Sequence, residues 1–253
     1  MSAAMEPVQT ATAPLDAAAW RRMAEDLEFL ALLHGQELTA EVIAQLRGAG
    51  PQDWFGLTPV GDGHAEGLAL LAAGLAALPT APGPAVIDEL AAEYAAIYLT
   101  HAYRAAPTES VWRDREGLER QGPMFAVRDA YRRHDLAVAD WRLRSDDHLV
   151  SELAFLAAML QEASPEALAE AAVFLRDHLL VWVPAFAGRV ARRCRHPFYA
   201  GLALVTTTLL QALASLLGEA TETDMTPPAD EIVAAAFEAT DVTGALGGAA
   251  RGG

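Results

Sequence analysis

The sequence predicts an all-α protein: a single helical domain of roughly ten helices, with a connector between an N-terminal and a C-terminal helical half. Three observations lead there. Hydrophobic residues make up 53% of the 253 positions, and much of that share is Ala and Leu, which are strong helix formers. Apolar positions recur three and four residues apart in segment after segment, the period of one helix face. No stretch alternates apolar and polar residues as a half-buried strand does, and no internal repeat or coiled-coil heptad is visible. The boundaries follow from composition: a loose Ala/Thr/Pro tail over 1–14, the helical domain over 15–240, and a disordered Gly- and Ala-rich tail over 241–253. Within the domain, 15–134 form the N-terminal half, 135–144 the connector and 145–240 the C-terminal half.

Taken in order, Asp16 opens a helix through Trp20, Leu27, Leu30 and Leu33, and Gly35 stops it. Thr39 caps a shorter helix to Arg47, and Gly50-Pro51 breaks it, leaving a turn or short helix at Gln52–Leu57. Gly61-Asp62-Gly63-His64-Ala65-Glu66-Gly67 reads as an entry loop to an apolar helix from Leu68 to Leu78. Its glycines miss the dinucleotide-binding fingerprint by one residue, and no strand precedes them. A helix from Ala85 to about His101 follows, ended by Ala105-Ala106-Pro107, with Thr108–Trp112 as a non-helical connection. Gly122-Pro123 starts a helix to His134.

The stretch Ser145–Leu160 organises the C-terminal half. Leu149, Leu153, Leu156 and Leu160 form one helical stripe, while Asp147, His148, Ser151 and Glu152 fall on the other side. Ser145 is placed to cap that helix, with Asp146 and Asp147 in the first turn, where the macrodipole favours negative charge. After Ser164-Pro165, the positions Leu168, Ala172, Leu175, Leu179 and Trp182 give another amphipathic helix, which Pro184 interrupts before a short Arg-bearing helix to Arg195. Pro197–Gly218 carries no charged residue. Its threonines, Gln211 and Ser215 favour a buried core helix over a membrane span. Pro227-Pro228 opens a last short helix to about Thr240.

Composition excludes several function classes. A formal net charge of −16 argues against a phosphate backbone or an anionic membrane surface as the main partner. Local arginine runs at Arg104–Arg144 and at Arg189, Arg192, Arg193 and Arg195 leave room for an anion contact. The chain contains no Lys, which removes the Walker-type phosphate loop and any Schiff-base mechanism. Cys194 is the one cysteine, so no internal disulfide or multi-cysteine metal site forms. The N-terminus has neither a basic region nor an apolar core, so no export signal is expected.

The Asp146, Asp147, His148 and Glu152 cluster reads first as a capped helix start with a solvated polar face. Its alternative is an all-α metal protein or enzyme using Asp147, His148 and Glu152, because His148 and Glu152 stand four apart, a two-ligand spacing. No Gly-x-Ser-x-Gly elbow occurs, and Cys194 has no assignable His partner. Tyr94, Tyr98, Trp112 and Trp141 lie near helix breaks, as core or rim packing or as the lining of a groove for an apolar peptide.

Several segments together resemble a family. Glu93-Tyr94-Ala95-Ala96-Ile97-Tyr98 is similar to a Glu-Tyr-x-x-Leu-Phe segment, and Pro107-Thr108-Glu109-Ser110-Val111-Trp112 to a Pro-Tyr-Glu-Ser-Val-Tyr connection. Asp147-His148-Leu149 with Glu152-Leu153 and Phe155 resembles Asp-His-Leu-x-x-Glu-Leu-x-Phe-Met. Phe174-Leu175, His178-Leu179, Trp182, Pro184 and Pro197-Phe198-Tyr199 complete the pattern. These are motifs of the TorD/DmsD-type chaperones, the redox enzyme maturation proteins, and the resemblance runs in order from about Ala85 to Leu217. Tyr98 replaces the usual Phe, Thr108 replaces an aromatic, and Ala157 or Ala158 stands where Met is common.

The resemblance implies a TorD-like cytoplasmic chaperone, not an enzyme. It implies binding of the twin-arginine signal peptide or the apo form of a molybdenum-cofactor oxidoreductase catalytic subunit, held back from export until the cofactor is inserted. Tyr94, Ile97, Tyr98, Pro107, Thr108, Glu109, Ser110, Asp146, Asp147, His148 and Glu152 are the expected client-binding residues. The carboxylates of Asp146, Asp147 and Glu152 suit the planar fork of a client arginine, and His148 is expected to make the contact pH-sensitive. No cofactor is expected beyond the weak guanine-nucleotide binding of some family members. The expected assembly is a monomer or a helix-exchanged dimer, with no nucleic acid and no stable membrane insertion.

Overall fold

Burial of the leucine and alanine stripes sets the architecture in a computed structural model that describes residues 15–139, 142–230 and 232–233. Helix α1 (Ala17–Gly35) is capped by Asp16, whose carboxylate accepts the Ala19 N–H. Helix α2 (Ala40–Leu46) is capped by Thr39 in the same way. A 3₁₀ turn at Pro51–Asp53 leads to α3 (Asp62–Ala77) and α4 (Pro84–Tyr98). Then come α5 (Glu109–Arg113) and α6 (Gly122–Arg133). The C-terminal part contains α7 (Leu149–Glu162), α8 (Pro165–Phe174), a π turn at Leu175–Leu179, α9 (Leu180–Arg193) and α10 (Pro197–Thr221). Among the described residues the one trace of β pairing is an isolated antiparallel bridge between Thr108 and His148. The all-α expectation holds.

Several expected boundaries move, each for a physical reason. Helix α3 starts at Asp62 rather than Leu68, so the glycine-rich segment is helix and not an entry loop. Gly61, at φ 151°, makes the turn into it. Helix α5 occupies part of the segment expected to be non-helical. Ser145 caps nothing: α7 begins at Leu149 with His148 as its cap, and Asp146 and Asp147 precede the first turn. Pro184 lies inside α9 without ending it, so the helical run from Pro165 to Arg193 is continuous for 29 residues. The buried neighbours Trp182, Val183, Ala185 and Phe186 hold the chain helical despite one missing N–H. Most of the helix expected at 227–240 lies outside the described residues, as do both tails and Asp140 and Trp141 of the connector.

The centre of the domain is α10, which packs on α3, α8 and α9, while α1 packs on α7. Phe198, Tyr199, Leu202, Leu209, Leu213 and Leu217 of α10 are buried. Among the described residues, two helical runs are long and apolar enough to cross a membrane, Pro165–Arg193 and Pro197–Thr221, and they spend 56% and 61% of their most apolar windows buried inside the protein. Their hydrophobicity is therefore largely used in packing.

The glycines of α3 serve that packing rather than a phosphate. A Cβ on Gly74 would stand 2.6 Å from the Phe198 backbone nitrogen, and one on Gly201 would stand 2.6 Å from the Gly67 carbonyl oxygen. The two helices therefore touch backbone to backbone. Gly74→Ala and Gly201→Ala should each cost about 1–3 kcal/mol in urea unfolding, the usual penalty for overpacking. Gly122→Ala, where a Cβ meets nothing within 4 Å, should stay within about 0.5 kcal/mol of the parent.

Candidate functional site

Two of the sequence motifs meet through their backbones. The Glu109 N–H donates to the Asp147 carbonyl at 2.9 Å, and the Leu149 N–H donates to the Pro107 carbonyl at 2.9 Å. Asp147 then acts on α5 from outside. Its Oδ2 accepts the Ser110 N–H at 2.8 Å and the Ser110 hydroxyl at 2.5 Å, and its Oδ1 accepts the Ser145 hydroxyl at 2.5 Å. Thr108, the residue at the cap position of α5, makes no capping bond with its side chain. Asp147 supplies that cap in trans, satisfying a first-turn N–H that a short helix otherwise leaves open. Burial pushes the Asp147 carboxyl above its ordinary value, and the donors from Ser110 and Ser145 pull it back.

Behind this junction lies a buried acidic network. Glu109, fully buried, accepts from Arg113 Nη1 at 2.5 Å and from His178 Nδ1 at 2.9 Å. Glu152, also fully buried, accepts the Trp182 indole N–H at 3.1 Å on Oε2, while its Oε1 meets no protein donor. Burial, with the Glu109 and Asp147 charges beside it, drives the Glu152 carboxyl well above the usual range. These surroundings favour the protonated, uncharged form of Glu152. Asp146 accepts a bidentate contact on Oδ2 from Arg128, at 3.1 and 2.6 Å.

In front of the junction is a groove of about 820 Å³ between α4, α7 and the connector. Tyr94 and Tyr98, four apart on α4, lie with ring centroids 4.6 Å apart and line one wall. Their hydroxyls point back into the fold. The Thr206 hydroxyl donates to the Leu202 carbonyl, so it accepts from His34 Nε2 at 2.8 Å; His34 Nδ1 then accepts the Tyr98 O–H at 2.7 Å. Burial holds His34 down to about 3, which keeps it neutral for that relay. The opposite wall is α7, where Ser151, Ala154 and Ala158 present small side chains at helical spacing. His148 stands at the end of this row, its Nδ1 accepting the Val150 N–H at 3.1 Å. That bond leaves the proton on Nε2.

The structure sorts the expected client-binding residues into two sets. Tyr94, Tyr98, Thr108 and His148 line the groove, and Asp146 faces a smaller cavity of about 320 Å³ beside it. Ile97, Pro107, Glu109, Ser110, Asp147 and Glu152 are buried behind the wall and do not line it. The carboxylates of that polar face, Asp147 and Glu152, are therefore not solvated, and the groove is not lined by the acids expected to grip arginine. Its acid is Glu119, accompanied by Arg120 and Arg144. Asp147, His148 and Glu152 each face different partners, and among the described residues no three His, Cys, Asp or Glu side chains are grouped to hold a metal. His148 is pushed down to about 3 by burial, so it stays neutral across physiological pH, contrary to the expected titration. Cys194 is pushed up to about 12 by burial, a passive thiol.

Sequence reasoning missed Tyr131 and Phe155 in the floor, His34 behind it, and the small-residue row of α7. That row was readable, since Ser151, Ala154, Phe155 and Ala158 fall at steps of three and four. His34 gave no signal, because its partners Tyr98 and Thr206 are distant in the chain.

Glu152 makes stability depend on pH. Its folded pKa lies above the ordinary 4.5, so its contribution is complete below that value and is lost as pH rises through the folded value. The slope is about 1.4 kcal/mol per pH unit for one proton. Glu152→Gln, which keeps the neutral shape, should gain on the parent as pH rises from 5 to 9 in urea unfolding. Parallel profiles for the two proteins would contradict the neutral acid.

Residues 62–188, half of the chain, match the model of the nitrate reductase delta subunit family. The chain is 32% identical over 105 residues to the Haemophilus influenzae protein named "Probable Tat proofreading chaperone DmsD", covering 42% of this chain and 50% of that one. It is 30% identical over 132 residues to the chaperone protein TorD of Vibrio cholerae, covering 49% of this chain and 60% of that one. The chain thus spans between half and three fifths of these relatives, both named as chaperones and neither as an enzyme. The matched region runs from α3 into α9 and includes the whole Asp147 junction. The chain belongs to the nitrate reductase delta subunit family, the family of the TorD/DmsD-type maturation chaperones it resembles.

Proposed function

We propose that the chain is a cytoplasmic chaperone that binds the twin-arginine signal segment of a molybdenum-cofactor oxidoreductase catalytic subunit. It holds the apo subunit back from export while the cofactor is inserted, and it does no covalent chemistry. The observation that carries this reading is the groove, with aromatic rings on one wall and a row of small side chains on the other. An extended or helical apolar segment fits that cross-section. The names of the relatives and the motif resemblance supply the client class.

The division of labour differs from a simple acid clamp. Tyr94, Tyr98, Thr108 and His148 contact the client, and the small row of α7 leaves space for its apolar residues. Glu119 at the rim and Asp146 in the adjoining cavity are the carboxylates within reach of client guanidinium groups. Ile97, Pro107, Glu109, Ser110, Asp147 and Glu152 hold the walls in place from behind. The net charge of −16 attracts a cationic segment from a distance.

Calorimetry with a synthetic twin-arginine peptide tests the site. Ala154→Arg fills the groove from an exposed helix position, so it should leave folding within about 0.5 kcal/mol while weakening the peptide at least tenfold. Asp147→Ala should instead destabilise the fold by about 1–3 kcal/mol, because it leaves the Ser110 N–H without its cap. Equal affinity in parent and Ala154→Arg would remove the groove assignment. Because His148 stays neutral, affinity at pH 6 and pH 8 should agree within about twofold; a larger change would place a titrating group in the contact.

A further inference from the structure

Three connector residues separate the two cavities. Leu136, Ala137 and Val138 border both the 820 Å³ groove and the 320 Å³ cavity, and Tyr131 lies against both. Along these shared lining residues the two spaces adjoin, and together they reach from the Tyr94–Tyr98 wall to the Asp146–Arg128 pair, a trough that these residues divide. We propose that Leu136–Val138 is a strap that occupies this trough in the free protein and is displaced when a client binds. The inference rests on the reading of the groove as the client site.

The strap is fixed at its start, and a further backbone bond lies beyond it at Arg142. At its start the Leu136 N–H donates to the Tyr131 carbonyl at 3.0 Å, after Asp135 has turned through φ 54°. Further on, the Arg142 carbonyl accepts from Arg120 Nη2 at 3.1 Å. Between them, Ala137, Val138 and Ala139 make no backbone hydrogen bond to any described residue. Val138 packs on the core only in part, and Leu136 remains 39% exposed. A segment whose backbone is so little bonded to the described fold opens at little cost.

Its chemistry copies that of a client. Leu-Ala-Val is a short apolar run, and the trough's buried carboxylate, Asp146, is already held by the guanidinium of Arg128. The chain thus fills its own trough with an apolar segment and an arginine. A twin-arginine segment brings both and competes for both, so free protein presents a covered apolar surface and bound protein exchanges one occupant for another.

The test uses the full chain and the double variant Leu136→Ser, at an exposed position, with Val138→Ser, at a half-buried one. Titration with the apolar dye bis-ANS, without peptide, reads the strap directly; calorimetry with a twin-arginine peptide reads the competition. The variant should take up dye more tightly and bind the peptide at least threefold more tightly than the parent. An unchanged dye curve, or a peptide affinity that stays level or falls, overturns the strap and makes these residues part of the wall. Tighter dye binding with no peptide bound by either protein supports the strap and removes the client reading instead.

Discussion

Asp147 joins the two halves of the site. One carboxylate receives three donors, from the Ser110 backbone, the Ser110 hydroxyl and the Ser145 hydroxyl. The flanking bridge pairs Thr108 with His148. A five-residue helix cannot sustain itself, because nucleating a helical turn costs more than a few hydrogen bonds return. The cap from Asp147 and the burial of Trp112 are what keep α5 formed. Through α5 the same contact places Thr108 and His148 side by side at the groove, so the groove wall depends on an aspartate that does not line it.

The acids behind the groove are arranged in the same spirit. Glu93 accepts from the Tyr103 hydroxyl and from the Arg195 and His196 backbone N–H groups, tying α4 to the start of α10. Glu109 joins α5 to the π turn through His178, and Glu152 joins α7 to α9 through Trp182. Removing one partner from such a network leaves a buried polar group unmet, which costs more than the bond itself contributes. The result is a hydrogen-bonded polar frame with a largely apolar front, across which Leu136–Val138 lies.

Much of the fold was legible in the sequence. The leucine stripe of α7, the helix starts at Asp16 and Thr39, the stop at Gly35 and the buried character of α10 follow from spacing and local chemistry, and each stands where expected. The failures share one cause, a partner far away in the chain. The start of α7 was misplaced because the Ser145 hydroxyl goes to Asp147 rather than to a helix N–H. Helix α5 was missed because its cap lies 37 residues onward. Pro184 looked like an end because its buried neighbours are not visible in one dimension. At the site, the carboxylates of Asp147 and Glu152, which look exposed on a helical wheel, are buried against α5 and α9, and part of the groove lining comes from Ala154 and Ala158, which carry no polar signature.

The most direct measurement of the central claim is the set of intermolecular nuclear Overhauser effects between a saturating twin-arginine peptide and the methyl groups of the protein. The account expects contacts from the peptide's apolar residues to Val150, Ala154 and Ala158 along the inner wall of α7. A saturated peptide whose contacts fall elsewhere, on the α3–α10 surface for instance, would contradict it.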